Sequence, residues 1–130
     1  MPNSDIKIRV LIVDDEPDLL EICSDSFEME GHQVECTTSA PKALELLAKN
    51  TYDVIISDSK MPEMSGEDFL AKACELMGEQ MPLFFMASGA IDLDVQALKG
   101  MGMTGLIAKP FDIDDLVEEV VSSFDQKKLA

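Results

Sequence analysis

The fold is decided by residues 52–62, which read YDVIISDSKMP. The apolar run at 54–56 is short, rich in β-branched residues and bounded by turn-forming residues, which is typical of a buried strand. The run leads to a carboxylate, Asp58, and Lys60, Pro62 and Gly66 follow it. We therefore predict a strand that brings Asp58 to the edge of a sheet, where a ligand can reach it.

The rest of the chain repeats the same strand-then-helix pattern, five times in all. Strands are predicted at 6–13, 33–37, 54–58, 82–87 and 104–108, and helices at 16–31, 39–50, 66–77, 91–101 and 112–124. Strands 1, 3 and 4 are apolar on both faces, which indicates a parallel sheet that is covered by helices on both sides. The predicted fold class is therefore α/β, a five-stranded parallel sheet doubly wound by five helices. We expect a single domain over residues 1–130, with its core at about 6–124.

The helices carry apolar residues at helical spacing, and these residues are predicted to face the core. They are Leu19, Ile22, Cys23 and Phe27 in the first helix; Ala43, Leu44 and Leu47 in the second; Phe69, Leu70, Ala73, Leu76 and Met77 in the third; and Ile113, Leu116, Val117, Val120, Val121 and Phe124 in the last. Ser39 and Asp112 are predicted N-caps, because their side chains can accept hydrogen bonds from free backbone N–H groups.

Composition restricts the class of protein and its partners. The chain has 130 residues, of which 46% are hydrophobic, so it can bury a core of its own. Its formal net charge of −16 leaves no basic patch for nucleic acid or for an anionic membrane surface. We therefore expect neither nucleic acid nor membrane as a direct partner. The charge fits a cation ligand or a basic protein surface.

The three cysteines and the N-terminus add few functional signals. Cys23, Cys36 and Cys74 match no zinc-binding spacing, and Cys23 and Cys74 are predicted to be inert core thiols. The N-terminus lacks the charged-then-apolar pattern of a secretion signal. No apolar run approaches the roughly 20 residues that span a bilayer. We expect a cytoplasmic protein.

Polar side chains follow four of the predicted strands. The carboxyl ends of parallel strands form one crevice, so these side chains should converge. They are Asp14 and Asp15 after strand 1, Asp58 after strand 3, Ser88 after strand 4 and Lys109 after strand 5. Singly, each has an ordinary structural explanation as a helix cap, a turn residue or a solvated loop lysine. Their coincidence at one edge favours a functional site.

Three carboxylates at one edge repel one another, which favours a bound divalent cation. Mg²⁺ prefers carboxylate and carbonyl oxygens, and the backbone carbonyl of Lys60 is a further candidate ligand beside Asp14, Asp15 and Asp58. A bound cation also makes phosphoryl transfer to the Asp58 carboxylate feasible, giving an acyl phosphate. The Ser88 hydroxyl and the Lys109 ammonium would then bind the phosphoryl oxygens.

Four motifs together identify a family. The chain resembles the receiver (response-regulator) domain of two-component signalling from about residue 7 to residue 124. The motifs that carry the resemblance are LIVDDE at 11–16, DSKMP at 58–62 with Ser65-Gly66, ASG at 87–89 and KPF at 109–111.

This resemblance implies a flavodoxin-like fold with strand order 2-1-3-4-5. It implies phosphorylation of Asp58 by a phosphohistidine on a sensor histidine kinase or a histidine phosphotransfer protein. It further implies Mg²⁺ bound by Asp14 and/or Asp15, by Asp58 and by the Lys60 carbonyl, with Ser88 and Lys109 as switch residues. A cis peptide bond before Pro110 and an output surface on helix 4, strand 5 and helix 5, which contacts a downstream protein, are also implied.

The chain departs from the family pattern at one position of the switch. Receivers commonly have Tyr or Phe three residues before the lysine, where this chain has Leu106. Lys60 and Ala90 occupy positions that influence dephosphorylation in the family. The Lys60 side chain either contacts the acidic cluster or points into solvent.

The leading hypothesis is a phosphoacceptor switch that catalyses only its own phosphorylation and dephosphorylation, either as a stand-alone protein or as part of a longer regulator. The alternative is a scaffold with the same fold that works without phosphorylation. A flavin-type cofactor module is disfavoured, because the acidic residues after strand 1 would repel a phosphate. An aspartyl phosphatase is disfavoured because the acidic residues 14–16 lack the expected spacing.

Overall fold

The computed structural model describes residues 6–89 and 94–129, with side chains as far as Lys127. Strands and helices alternate along the chain, as the sequence predicts. The elements are β1 (Arg9–Val13), α1 (Pro17–Met29), β2 (Gln33–Thr37), α2 (Ala40–Lys49), β3 (Val54–Asp58), α3 (Gly66–Met77), β4 (Leu83–Ser88), α4 (Val95–Met101), β5 (Gly105–Ala108) and α5 (Ile113–Leu129). The predicted range 91–101 for the fourth helix extends into residues 91–93, which lie outside the described part of the chain.

The five strands form one parallel sheet in the order β2-β1-β3-β4-β5, which confirms the predicted fold class. The register places Val13 beside Ser57 and Asp58 beside Ala87. The strands β1, β3 and β4 therefore end at nearly the same level. The predicted site residues lie along the edge of the sheet that is formed by the carboxyl ends of these strands.

Each face of the sheet buries a separate apolar cluster. One cluster joins strand residues such as Ile12 and Ile56 to α1 and α5, where Phe27 and Val120 are buried. The other joins the alternate strand residues to α2, α3 and α4. Every residue of β3 and β4 is buried, as expected for central strands with helices on both sides.

Two helical residues predicted to face the core are exposed. Ile22 in α1 is 51% exposed and Leu76 in α3 is 49% exposed. In α1 the buried stripe runs through Leu20, Cys23 and Phe27, and successive helical residues are turned by about 100° from one another. Ile22 lies one position before Cys23 and so falls outside the stripe. In α3, Leu76 likewise lies next to the buried face of the helix and not within it.

The predicted helix caps are confirmed. Ser39 Oγ accepts a hydrogen bond from the N–H of Lys42 at 3.2 Å, and Asp112 Oδ1 accepts one from Asp115 at 3.0 Å. Cys23 is buried, and burial raises the pKa of its thiol to about 11, which agrees with an inert core role. Among the described residues, no helix is both long enough and apolar enough to cross a membrane.

Candidate functional site

The edge formed by the carboxyl ends of the strands brings the predicted site residues together. Asp14 follows β1, Asp58 is the last residue of β3, Ser88 is the last residue of β4, and Lys109 follows β5. Asp14, Asp58 and Ser88 are buried, although their side chains are polar. Buried polar groups require partners, so the contacts of these residues define what the site can do.

An acidic cluster lies at the centre of this edge. Asp14, Asp15 and Asp58 each offer a carboxylate oxygen, and these oxygens all lie within 4.8 Å of one another. Asp14 and Asp58 are buried, whereas Asp15 is exposed. This arrangement of hard oxygen ligands with an open side fits a small divalent cation.

Lys109 is the cation that faces the cluster. Its Nζ lies 2.9 Å from Asp14 Oδ2, 3.4 Å from Asp58 Oδ1 and 3.7 Å from Glu16 Oε1. Burial alone would lower the pKa of Lys109, but the hydrogen bond and charge of Asp14, together with Asp58, raise it above its ordinary value. Lys109 therefore stays charged. Among the described residues, one ammonium faces the three carboxylates of Asp14, Asp15 and Asp58, which leaves the site negative.

The charge of the Asp58 carboxylate is poorly compensated by its surroundings. Burial, followed by the nearby charge of Asp14, raises the pKa of Asp58 above its ordinary value. Lys109 and a hydrogen bond from the backbone N–H of Lys60 act in the opposite direction but do not cancel the rise. A cation or an electrophile that approaches Asp58 would thus relieve an unfavourable charge.

Asp14 is held from two sides. Its Oδ1 accepts a hydrogen bond from the N–H of Glu16 at 2.9 Å, just before α1, while Oδ2 accepts the bond from Lys109. Asp15 is solvent-exposed beside it. The exposed carboxylate of Asp15 is therefore the more accessible of the two for an incoming cation.

The loop after β3 contributes a residue that the sequence analysis missed. Ser59 Oγ donates a hydrogen bond to Ser88 Oγ at 2.8 Å. The register of β3 against β4 explains this contact. Asp58 pairs with Ala87, so the next residues, Ser59 and Ser88, lie side by side. The side chain of Lys60 is exposed, in agreement with the solvent-facing alternative, while its backbone lies at the site through the bond to Asp58.

The loop after β5 fixes the position of Lys109. The peptide bond between Lys109 and Pro110 is cis, as the family resemblance implies. The N–H of Lys109 donates to the carbonyl of Ser88 at 2.9 Å, so the two predicted phosphate-binding residues are joined through their backbones. Leu106 is half-buried and packs with the cluster under α2, α3 and α4. Ala90 lies outside the described residues.

Comparison with known proteins identifies the family. The sequence profile of the response regulator receiver domain matches residues 10–121. The chain belongs to this receiver family. It is thus a receiver domain of the two-component type, and its doubly wound fold is the one expected for such a domain.

Individual relatives agree with this assignment. The response regulator SaeR of Staphylococcus epidermidis is 37% identical over 109 residues, which cover 84% of this chain and 47% of SaeR. The receiver thus spans about half the length of that relative. A CheY-like receiver domain protein of Methanospirillum hungatei has a TM-score of 0.84 at 28% identity, covering 92% of this chain and 95% of that one. CheY4 of Vibrio cholerae gives 0.79 at 27% identity, with coverages of 92% and 99%.

Proposed function

We propose that this receiver is a phosphoacceptor switch. Asp58 accepts a phosphoryl group from a phosphohistidine, carried by a sensor histidine kinase or by a histidine phosphotransfer protein. The observation that carries the proposal is the placement of Asp58 within 4.8 Å of Asp14 and Asp15 and 3.4 Å from the Lys109 ammonium. Asp58 is a buried carboxylate with a raised pKa and is surrounded by these charged groups, which suits it to act as a nucleophile.

The acidic cluster fits Mg²⁺. Asp15 and Asp58 would supply carboxylate oxygens, with Asp14 beside them, and the backbone carbonyl of Lys60, two residues after Asp58, is a further candidate ligand. When bound, a divalent cation neutralises phosphoryl oxygens and so lowers the barrier to attack by an anion. The net negative charge left by Lys109 supports this assignment.

The reaction itself requires a nucleophile and two groups that bind the phosphoryl oxygens. One oxygen of Asp58 attacks phosphorus, the N–P bond of the phosphohistidine breaks, and its electron pair returns to the imidazole ring. The product at Asp58 is an acyl phosphate. Lys109, at the edge of the site, supplies a positive charge for the new phosphoryl group, and the Ser88 hydroxyl donates a hydrogen bond to it. Attack of water on phosphorus later breaks the bond between phosphorus and the Asp58 oxygen, releases inorganic phosphate and restores the carboxylate, so the chain catalyses only these two steps on itself.

The output is a changed surface on α4, β5 and α5. Lys109 and Ser88 connect the site to this surface, since Lys109 follows β5 directly and its N–H is bonded to the Ser88 carbonyl. At the position of the usual aromatic residue, Leu106 is already packed against the core. The surface is therefore expected to respond through Ser88 and the β5 backbone, and a downstream protein would recognise that change.

The proposal is tested with beryllofluoride, which mimics a phosphoryl group on a carboxylate. We expect the wild-type amide spectrum to change at residues near Asp58, Ser88 and Lys109 when beryllofluoride is added with Mg²⁺. Chelation of Mg²⁺ should reverse the change. A spectrum that stays the same with both components present would refute the phosphoacceptor function.

A second expected result concerns metal binding alone. Because only the folded cluster binds the ion, Mg²⁺ should raise the melting temperature by mass action. Asp15→Ala should reduce this rise, since it removes the accessible ligand. Asp18→Ala, which removes an exposed carboxylate in the first turn of α1, serves as the matched control and should leave the rise unchanged. An equal rise in Asp15→Ala and wild type would remove Asp15 from the metal site.

A further inference from the structure

We propose that Ser59 is a positioning residue that holds the Ser88 hydroxyl in the resting arrangement of the switch. This inference rests on the proposed phosphoacceptor function. Its basis is the hydrogen bond of 2.8 Å from Ser59 Oγ to Ser88 Oγ, between a residue adjacent to the nucleophile and a residue that is expected to bind the phosphoryl group.

The backbone of Ser59 is fixed on both sides, so its hydroxyl has a defined position. The N–H of Ser59 donates to the carbonyl of Ala87 at 3.1 Å, and its carbonyl accepts from the N–H of Gly66 at 2.9 Å. The first bond continues the ladder between β3 and β4 beyond Asp58. The second ties the loop to the start of α3. A serine held in this way can orient its neighbour without moving itself.

Strand alternation explains why such a contact belongs to the resting arrangement. Successive side chains of a strand point to opposite faces of the sheet. Asp58 therefore shares a face with Ile56, on the side of α1 and α5, whereas Ser88 shares a face with Met86, on the side of α2, α3 and α4. We therefore expect the Ser88 hydroxyl to turn toward Asp58 when it binds a phosphoryl group there. The bond from Ser59 favours the position before this turn.

The hydrogen bond thus acts against switching. A ligand that binds the Ser88 hydroxyl must break this bond. The affinity of the protein for that ligand is therefore reduced by the free energy of the bond. The net free energy of one neutral hydrogen bond corresponds to a change in the binding constant by a factor of roughly 2 to 10. Loss of the Ser59 hydroxyl should therefore strengthen the binding of a phosphoryl mimic.

The test is a titration of beryllofluoride at saturating Mg²⁺, followed by amide spectra. We expect Ser59→Ala to bind beryllofluoride roughly 2- to 10-fold more tightly than the wild type. Two further variants form a matched pair of nearly equal shape. Ser59→Thr keeps the hydroxyl and should bind more weakly than Ser59→Val, which lacks it.

Each outcome bears on the inference. Tighter binding by Ser59→Ala than by the wild type, together with tighter binding by Ser59→Val than by Ser59→Thr, supports it. Binding by Ser59→Ala that is equal to or weaker than that of the wild type, or binding by Ser59→Val that is equal to or weaker than that of Ser59→Thr, overturns it while the phosphoacceptor function stands. Absence of binding by the wild-type protein refutes the phosphoacceptor function itself, and this inference with it.

Discussion

Replacement of Gly66 by alanine is expected to destabilise the protein by about 3 kcal/mol, because the added methyl group has no space. A Cβ at this position would lie 2.4 Å from the carbonyl oxygen of Asp58, 2.5 Å from Met86 Sδ and 2.9 Å from Ser59 Cα. Two of these atoms belong to the backbone at the end of β3. They can move away only if the site itself is displaced.

Gly66 is thus required for close approach of α3 to the nucleophile. The backbone bond of 2.9 Å from Gly66 to Ser59 brings the first residue of α3 against the loop that begins at Asp58. Any side chain at residue 66 would push this loop outward. We therefore expect the Gly66→Ala variant to lose affinity for Mg²⁺ and beryllofluoride in addition to stability.

The measurement is the free energy of unfolding from denaturant titration at equilibrium. Gly100→Ala is the matched control, because Gly100 lies in α4 and a Cβ there would meet no atom within 4 Å. An alanine in an open helical position is expected to be neutral or to stabilise by about 0.5–1 kcal/mol. Equal unfolding free energies for the Gly66→Ala variant and the wild type would contradict the proposed packing.

The sequence is sufficient to predict the sheet and most of the site, because both depend on local patterns. Apolar runs define the strands, and the polar residues that follow them, such as Asp58 and Lys109, must meet once the strands are parallel. Hydrogen-bonding side chains at helix starts, such as Ser39, are also local signals. The strand order came from the family resemblance rather than from periodicity.

Features that depend on tertiary contacts cannot be predicted from local sequence patterns. Ile22 and Leu76 have apolar side chains at nearly correct spacing, but the phase of each helix is set by what it packs against. The bond between Ser59 and Ser88 joins residues 29 positions apart, so only the register of β3 against β4 reveals it. The division of roles between Asp14 and Asp15 likewise depends on Lys109, which approaches Asp14 from 95 positions away.

Replacement of Asp58 by asparagine is expected to abolish phosphoryl transfer, since an amide has no anionic oxygen to attack phosphorus. The fold should persist. The pKa of Asp58 is raised, which means that its charged form is disfavoured in the folded protein, mainly by burial and then by Asp14. A neutral amide of the same shape removes this cost but also loses the charge–charge attraction to Lys109. We expect the stability of the variant to be close to that of the wild type or above it.

The role of Asp58 as phosphoacceptor is tested by the intact mass of the protein after incubation with Mg²⁺ and a small acyl-phosphate donor. We expect the wild type to gain the mass of one phosphoryl group only when Mg²⁺ is present. Asp18→Asn, with an exposed carboxylate changed in α1, should gain the same mass, and Asp58→Asn should gain none. A wild-type protein that gains no mass, or an Asp58→Asn variant that gains as much as the wild type, would show that Asp58 is not the phosphoacceptor.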